Sequence, residues 1–160
     1  MTEIETYPVP DFFGHTVFCD DIRFEMDGKL TFVGVYANGA MLTPADFPLT
    51  LPKFCFSIIF NQRKDLFVPN LGLRIFLPGD PEENSSIQAE VNGPPVPPSV
   101  GNPTDGEYSM IRSNLVLAPF TIEKPGRIRV RVLREGVLHR IGSLRVVPFT
   151  EAQPTTSEKL

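Results

Sequence analysis

Proline sets the first limit on this chain. Seventeen of its 160 residues are Pro, roughly twice average usage, and each one removes a backbone donor and breaks a helix interior. A helical bundle or coiled coil is therefore excluded. Between the prolines the pattern is alternation. From Thr16 onward Phe18, Ile22, Phe24 and Met26 share one parity, while Cys19, Asp21, Arg23 and Glu25 share the other. That is the period of a strand with two unlike faces. Asp27-Gly28 then stands before a return run, Lys29–Ala37. A two-residue type I′ loop needs φ > 0 at both central positions, which this pair tolerates. It sets Phe24 opposite Thr31, Arg23 opposite Phe32 and Ile22 opposite Val33.

The alternation recurs in Phe54–Asn61, where Phe54, Phe56, Ile58 and Phe60 share a face, and again in Leu71–Leu77, Ile87–Val91 and Tyr108–Ala118. A last hairpin joins Arg127–Arg134 to Val137–Val147 around Glu135-Gly136. Its inward residues are Ile128, Val130 and Val132, set against Ile141, His139 and Val137. Thr43–Pro52, with three prolines, reads as irregular, and so does Asn92–Glu107, with five prolines and three glycines in sixteen residues. About eight short strands without an amphipathic helix predict an all-β fold. The expected form is a two-layer β-sandwich, immunoglobulin-like or similar, with a closed barrel as the runner-up. The expected organisation is an N-terminal arm over 1–15, one sandwich domain over 16–150 and a polar tail over 151–160.

The net charge of −4 hides an asymmetry. Residues 1–107 carry six basic against fifteen acidic side chains, and residues 108–150 carry eight against two. The basic excess gathers on the last hairpin, where Arg127, Arg129 and Arg131 share a face and Arg140 lies opposite Arg131. Like charges directly opposite one another destabilise a sheet unless something negative lies between them. The acidic overall balance and the absence of interleaved aromatics argue against nucleic acid. Carboxylates fit this face better, supplied by the first 107 residues or by a partner protein.

A second polar cluster is Asp20-Asp21-x-Arg23-x-Glu25. In one continuous strand Asp21, Arg23 and Glu25 share a face, so Arg23 can pair with either carboxylate. Asp20 then points among Phe18, Ile22 and Phe24, where it needs backbone N–H donors or a basic partner. A metal-dependent enzyme using Asp20, Asp21 and the acidic loop Asp80, Glu82 and Glu83 is the alternative reading. Adjacent strand residues point to opposite faces, however, so structural pairing is preferred. His15 and His139 lie near no nucleophile motif, and the phosphate-binding, dinucleotide and metalloprotease signatures are missing from the sequence. No catalytic residue, cofactor or metal ligand is assigned.

Cys19 and Cys55 sit in apolar runs outside any C-x-x-C pair. They read as two buried thiols of a reducing compartment, with an inter-strand disulfide as the alternative. Met1–Pro10 is acidic, without the basic and apolar regions of a signal peptide, and no apolar run approaches the roughly 20 residues of a bilayer span. A cytoplasmic protein without membrane contact is expected.

The segments Phe18-Cys19-Asp20-Asp21-Ile22-Arg23, Gly28-Lys29-Leu30 and Gly34-Val35-Tyr36, followed by Phe47-Pro48-Leu49-Thr50-Leu51-Pro52-Lys53, resemble a family of small uncharacterised bacterial proteins. The resemblance covers about residues 17–60. It implies a bacterial or phage-borne cytoplasmic protein and supplies no catalytic residue. The run Pro119–Val132 is similar to the closing strands of immunoglobulin-like sandwiches. The expected role is a non-catalytic binding or structural module with a protein partner, a phage virion component being a further alternative.

Overall fold

A computed structural model describes residues 10–44, 46–93 and 108–149; most of the proline-rich segment 92–107 lies outside these. The described residues form a nearly all-β fold of twelve strands: β1 (Phe12–Cys19), β2 (Asp21–Phe24), β3 (Leu30–Val33), β4 (Ala40–Thr43), β5 (Leu49–Leu51), β6 (Phe54–Arg63), β7 (Asn70–Phe76), β8 (Ile87–Asn92), β9 (Tyr108–Leu117), β10 (Phe120–Ile122), β11 (Gly126–Arg134) and β12 (Val137–Pro148). A three-stranded sheet, β1-β6-β9, packs against a five-stranded sheet, β4-β12-β11-β7-β8. The fold is a two-layer sandwich.

The core follows from the alternation. Phe54, Phe56, Ile58 and Phe60 of β6 are all buried, as are Leu71, Leu73 and Ile75 of β7 and Ile128, Val130 and Val132 of β11. Phe54 stacks on Phe120 at 5.0 Å between ring centroids, and Phe56 meets Phe18 edge-on at 5.7 Å. Burying one such ring contributes about 1.5–3 kcal/mol relative to leaving it exposed.

Twelve strands replace the eight expected because several pairings are non-local. A bend at Asp20 divides the first run into β1 and β2. β4 pairs in parallel with β12, and Leu49–Leu51, within the segment expected to be irregular, pairs with β10. Local alternation cannot reveal a three-residue strand whose partner lies some seventy positions away, as Thr50 and Thr121 do. β1 also starts at Phe12, because its ring stacks on Phe60 at 6.5 Å and lies under the Arg134 guanidinium.

Both hairpins form, each with a correction of register. Asp27 and Gly28 do take positive φ, 63° and 73°. The loop nevertheless has three residues, Met26–Gly28, closed by the Glu25 amide on the Lys29 carbonyl at 2.9 Å. Ile22 therefore faces Phe32 and Arg23 faces Thr31. In the second hairpin Arg131 faces Arg140 as expected, but Val132 faces His139 rather than Val137, which is exposed opposite Arg134, and a β-bulge then sets Val130 opposite Gly142 and Ile128 opposite Leu144. The extra residue is Ile141. Its carbonyl accepts a hydrogen bond from Thr16 Oγ1 of β1 at 3.0 Å, which ties the two layers together.

Among the described residues no helix is long and apolar enough to cross a membrane.

Candidate functional site

The outward face of the five-stranded sheet is basic. Residues of β11 alternate, so Ile128, Val130 and Val132 go inward while Arg127, Arg129 and Arg131 go outward. The ladder then places Arg131 between Arg140 of β12 and Arg74 of β7, giving a row of three arginines across three strands. Arg127 meets Arg145 in the same way. Arg74 belongs to this face although sequence reasoning missed it. Its outward parity is visible in Leu71–Leu77, but nothing local says that β7 lies beside β11.

The repulsion along this row is relieved unequally. The loop between β7 and β8 folds back over the sheet and delivers Glu82, whose Oε2 accepts from Arg131 at 2.8 Å and whose Oε1 accepts from Arg129. Both guanidinium groups also lie over the Phe76 ring, at 4.8 and 4.9 Å from its centroid. Hydrogen bonds from Arg131, with the Arg129 charge, hold the Glu82 carboxyl below the usual carboxylate range. The loop itself is fixed by Asp80, which accepts from the amides of Leu77 at 2.8 Å and Ser86 at 2.7 Å and from the Ser86 hydroxyl. Burial works to raise the Asp80 carboxyl, but these bonds and Arg129 outweigh it and hold it low. Asp80 and Glu82 thus have structural partners.

The remaining arginines are less well served. Arg74 reaches Glu90 at 3.4 Å, and among the described residues Arg127 reaches only the Ser143 hydroxyl, at 3.3 Å. Arg140 has no ion-pair partner among the described residues. Arg127, Arg129, Arg131, Arg140, Ser143 and Glu82 line an open groove of about 540 Å³. On the other side of Glu82 lies a hollow of about 230 Å³, bordered by Arg74, Phe76, Glu83 and Ser85. This arrangement can hold an oxyanion by charge-assisted hydrogen bonds.

The Asp20 corner is built differently from the expectation. Because the chain bends at Asp20, its side chain is exposed rather than set among Phe18, Ile22 and Phe24. Among the described residues it accepts neither a backbone N–H nor a basic group; the Tyr36 hydroxyl donates to Oδ1 at 2.6 Å. Burial, then this carboxylate, pushes the Tyr36 phenol upward. Asp21 pairs with Lys53 at 2.9 Å, and Arg23 stands off at 3.8 Å. Gly34, at φ 67°, leaves no room for a Cβ beside the Asp20 carboxylate. Tyr36 and Lys53 lie in segments that carry the family resemblance, and their meeting at Asp20 and Asp21 is a tertiary fact. No three His, Cys, Asp or Glu side chains gather in a metal-binding arrangement among the described residues.

Below this corner Cys19 and Cys55 face each other across β1 and β6, both free and buried. The β2–β3 hairpin covers them with Ile22, Leu30 and Phe32. Burial pushes the Cys19 thiol up to about 11 and raises Cys55 as well. His139 is half-buried, 5.5 Å from the ring centroids of both Phe12 and Phe60, and burial then Arg134 lower its affinity for a proton.

One family model matches the chain, over residues 15–147, and its description is a family of unknown function. No curated protein and no solved structure matches the chain.

Proposed function

Since the chain belongs to this family of unknown function, DUF6941, its role has to be argued from its own surface, and we propose that it is a non-catalytic β-sandwich binding module whose partner is an acidic segment of another protein. The observation that carries this reading is the groove beside Glu82, where Arg127 and Arg140 lack carboxylate partners of their own among the described residues. Guanidinium groups are weakly hydrated and fork-shaped, so they suit carboxylates at an interface. The metal-enzyme alternative has less to support it, because Asp20, Asp21, Asp80 and Glu82 are already engaged by Tyr36, Lys53, Ser86 and two arginines. Two free, buried thiols support a reducing, cytoplasmic setting, and the N-terminal segments support a bacterial origin.

Affinity capture with the wild-type chain and with Arg127→Glu/Arg140→Glu tests the reading. The expected result is a protein bound by the wild type, lost with the variant, and released by salt. Capture of the same proteins by both forms would place the interface elsewhere. Retention of nucleic acid, with a steep loss of affinity as salt rises, would replace carboxylate by phosphate as the ligand.

A further inference from the structure

The groove already contains one example of the ligand chemistry it suits. Glu82 lies across Arg129 and Arg131, and the exposures of the three side chains differ: 62% for Glu82 against 23% and 12% for the arginines. The guanidinium groups are therefore sunk into the sheet against Phe76, while the carboxylate sits on top and faces solvent. It arrives on a loop whose base is pinned by Asp80 and by the Arg129 bond to the Asp80 carbonyl at 3.0 Å. Only the side chain of Glu82 needs to rotate for the pair to be uncovered. Immediately beside it, Arg127, Arg140 and Ser143 offer further donors along the same groove.

Resting on the reading of this face as a carboxylate site, we propose that Glu82 is an internal stand-in for the partner's carboxylate: it occupies the Arg129/Arg131 position in the free protein and is displaced when an acidic peptide lies along the groove from Arg131, with Arg140 beside it, towards Arg127. An extended peptide places alternate side chains on one side at about 6.5–7 Å spacing. Two acidic residues separated by one other could thus meet Arg131, with Arg140 beside it across the ladder, and Arg129, the next outward arginine along β11. Such self-occupation lowers the apparent affinity, because the competent state is only part of the population. It also keeps the row of like charges tolerable when no partner is bound.

The test is fluorescence anisotropy at low ionic strength with a fluorescein-labelled hexaglutamate peptide. Glu82→Gln should bind about five- to ten-fold more tightly than the wild type, since the competing charge-assisted bonds are weakened. Glu83→Gln, the same charge change one residue further on, should shift affinity by less than about two-fold, as expected of a screened surface charge. Arg140→Glu, an exposed residue outside any described ion pair, should abolish binding. Equal gains from Glu82→Gln and Glu83→Gln would reduce the effect to net charge and overturn the stand-in role. No gain from Glu82→Gln, with Arg140→Glu still abolishing binding, would overturn it too, leaving the carboxylate site intact. If neither the wild type nor Glu82→Gln binds the peptide, the reading of the face falls, and the inference with it. A dimer that Arg140→Glu dissociates in sedimentation would assign the groove to a second copy and overturn the peptide.

Discussion

Arg134 is the one arginine of β11 that points inward, and its surroundings explain why the sheet accepts it. Its Nε donates to Gln62 Oε1 at 3.0 Å, a second nitrogen donates to the Leu66 carbonyl, and the guanidinium lies 4.0 Å from the centroid of Phe12. Gln62, fully buried, also binds Val68 through its amide and carbonyl ends. Arg134→Met keeps the stem but takes the guanidinium donor from the Leu66 carbonyl, leaves Gln62 Oε1 with the Val68 amide alone and removes the ion pair with Glu135, so it should cost about 1–3 kcal/mol in urea unfolding; Arg134→Lys should recover part of that. A second consequence concerns His139. The folded chain resists the proton that the unfolded chain takes up near its ordinary value of about 6.5, so the unfolded state binds more protons below that pH. Its contribution to stability is complete above about pH 6.5 and is lost as pH falls. His139→Leu should flatten the decline in urea midpoint between about pH 7 and pH 5, before the carboxylates titrate. An unchanged slope would show that the ring accepts its proton freely.

At the scale of the element, Gly28 and Gly34 form a matched pair. Both have positive φ, 73° and 67°, but a Cβ at Gly28 meets nothing within 4 Å whereas one at Gly34 overlaps the Asp20 carboxylate. Gly28→Ala should cost about 1 kcal/mol from backbone strain alone. Gly34→Ala should cost distinctly more, and Asp20→Ala, which keeps only the Cβ at 3.0 Å, should remove most of the excess in a double-mutant cycle. Equal costs would mean that Asp20 swings away freely. The same elements mark what the sequence disclosed. Asp27-Gly28 announced a turn with two positive φ angles, but not the third loop residue, because type I′ pairs and longer bulged loops use the same residues. Phe54 to Phe60 announced their buried face through strict alternation. The bulge at Ile141 was invisible, since Gly142 and Thr16 meet only after the layers pack. For the same reason Tyr36 could not be read as the partner of Asp20, nor Arg74 as a neighbour of Arg131. What could be read was local period; what could not was which strand lies beside which.

On the scale of the whole molecule, the acidic first 107 residues and the basic hairpin are only partly neutralised against each other. Glu82 and Glu90 reach over the arginine face, whereas Asp11, Asp21 and Asp65 pair with Arg63 or Lys53 on other surfaces. The basic face therefore keeps a surplus that salt will screen. The order of strands has a further consequence. β12, the last strand, is an interior member of its sheet, hydrogen-bonded to β11 on one side and to β4 on the other. Thr43 of β4 donates to the carbonyl of Val147, 104 positions later. A nascent chain emerging from the ribosome consequently has no ladder for β4 to join, and no cover for Met41, until Pro148 has been synthesised. Closure of non-local pairings of this kind is slow, on the order of milliseconds to seconds. A polypeptide stopped at Glu135 should remain open to limited proteolysis along its whole length, while one extended through Phe149 should resist it.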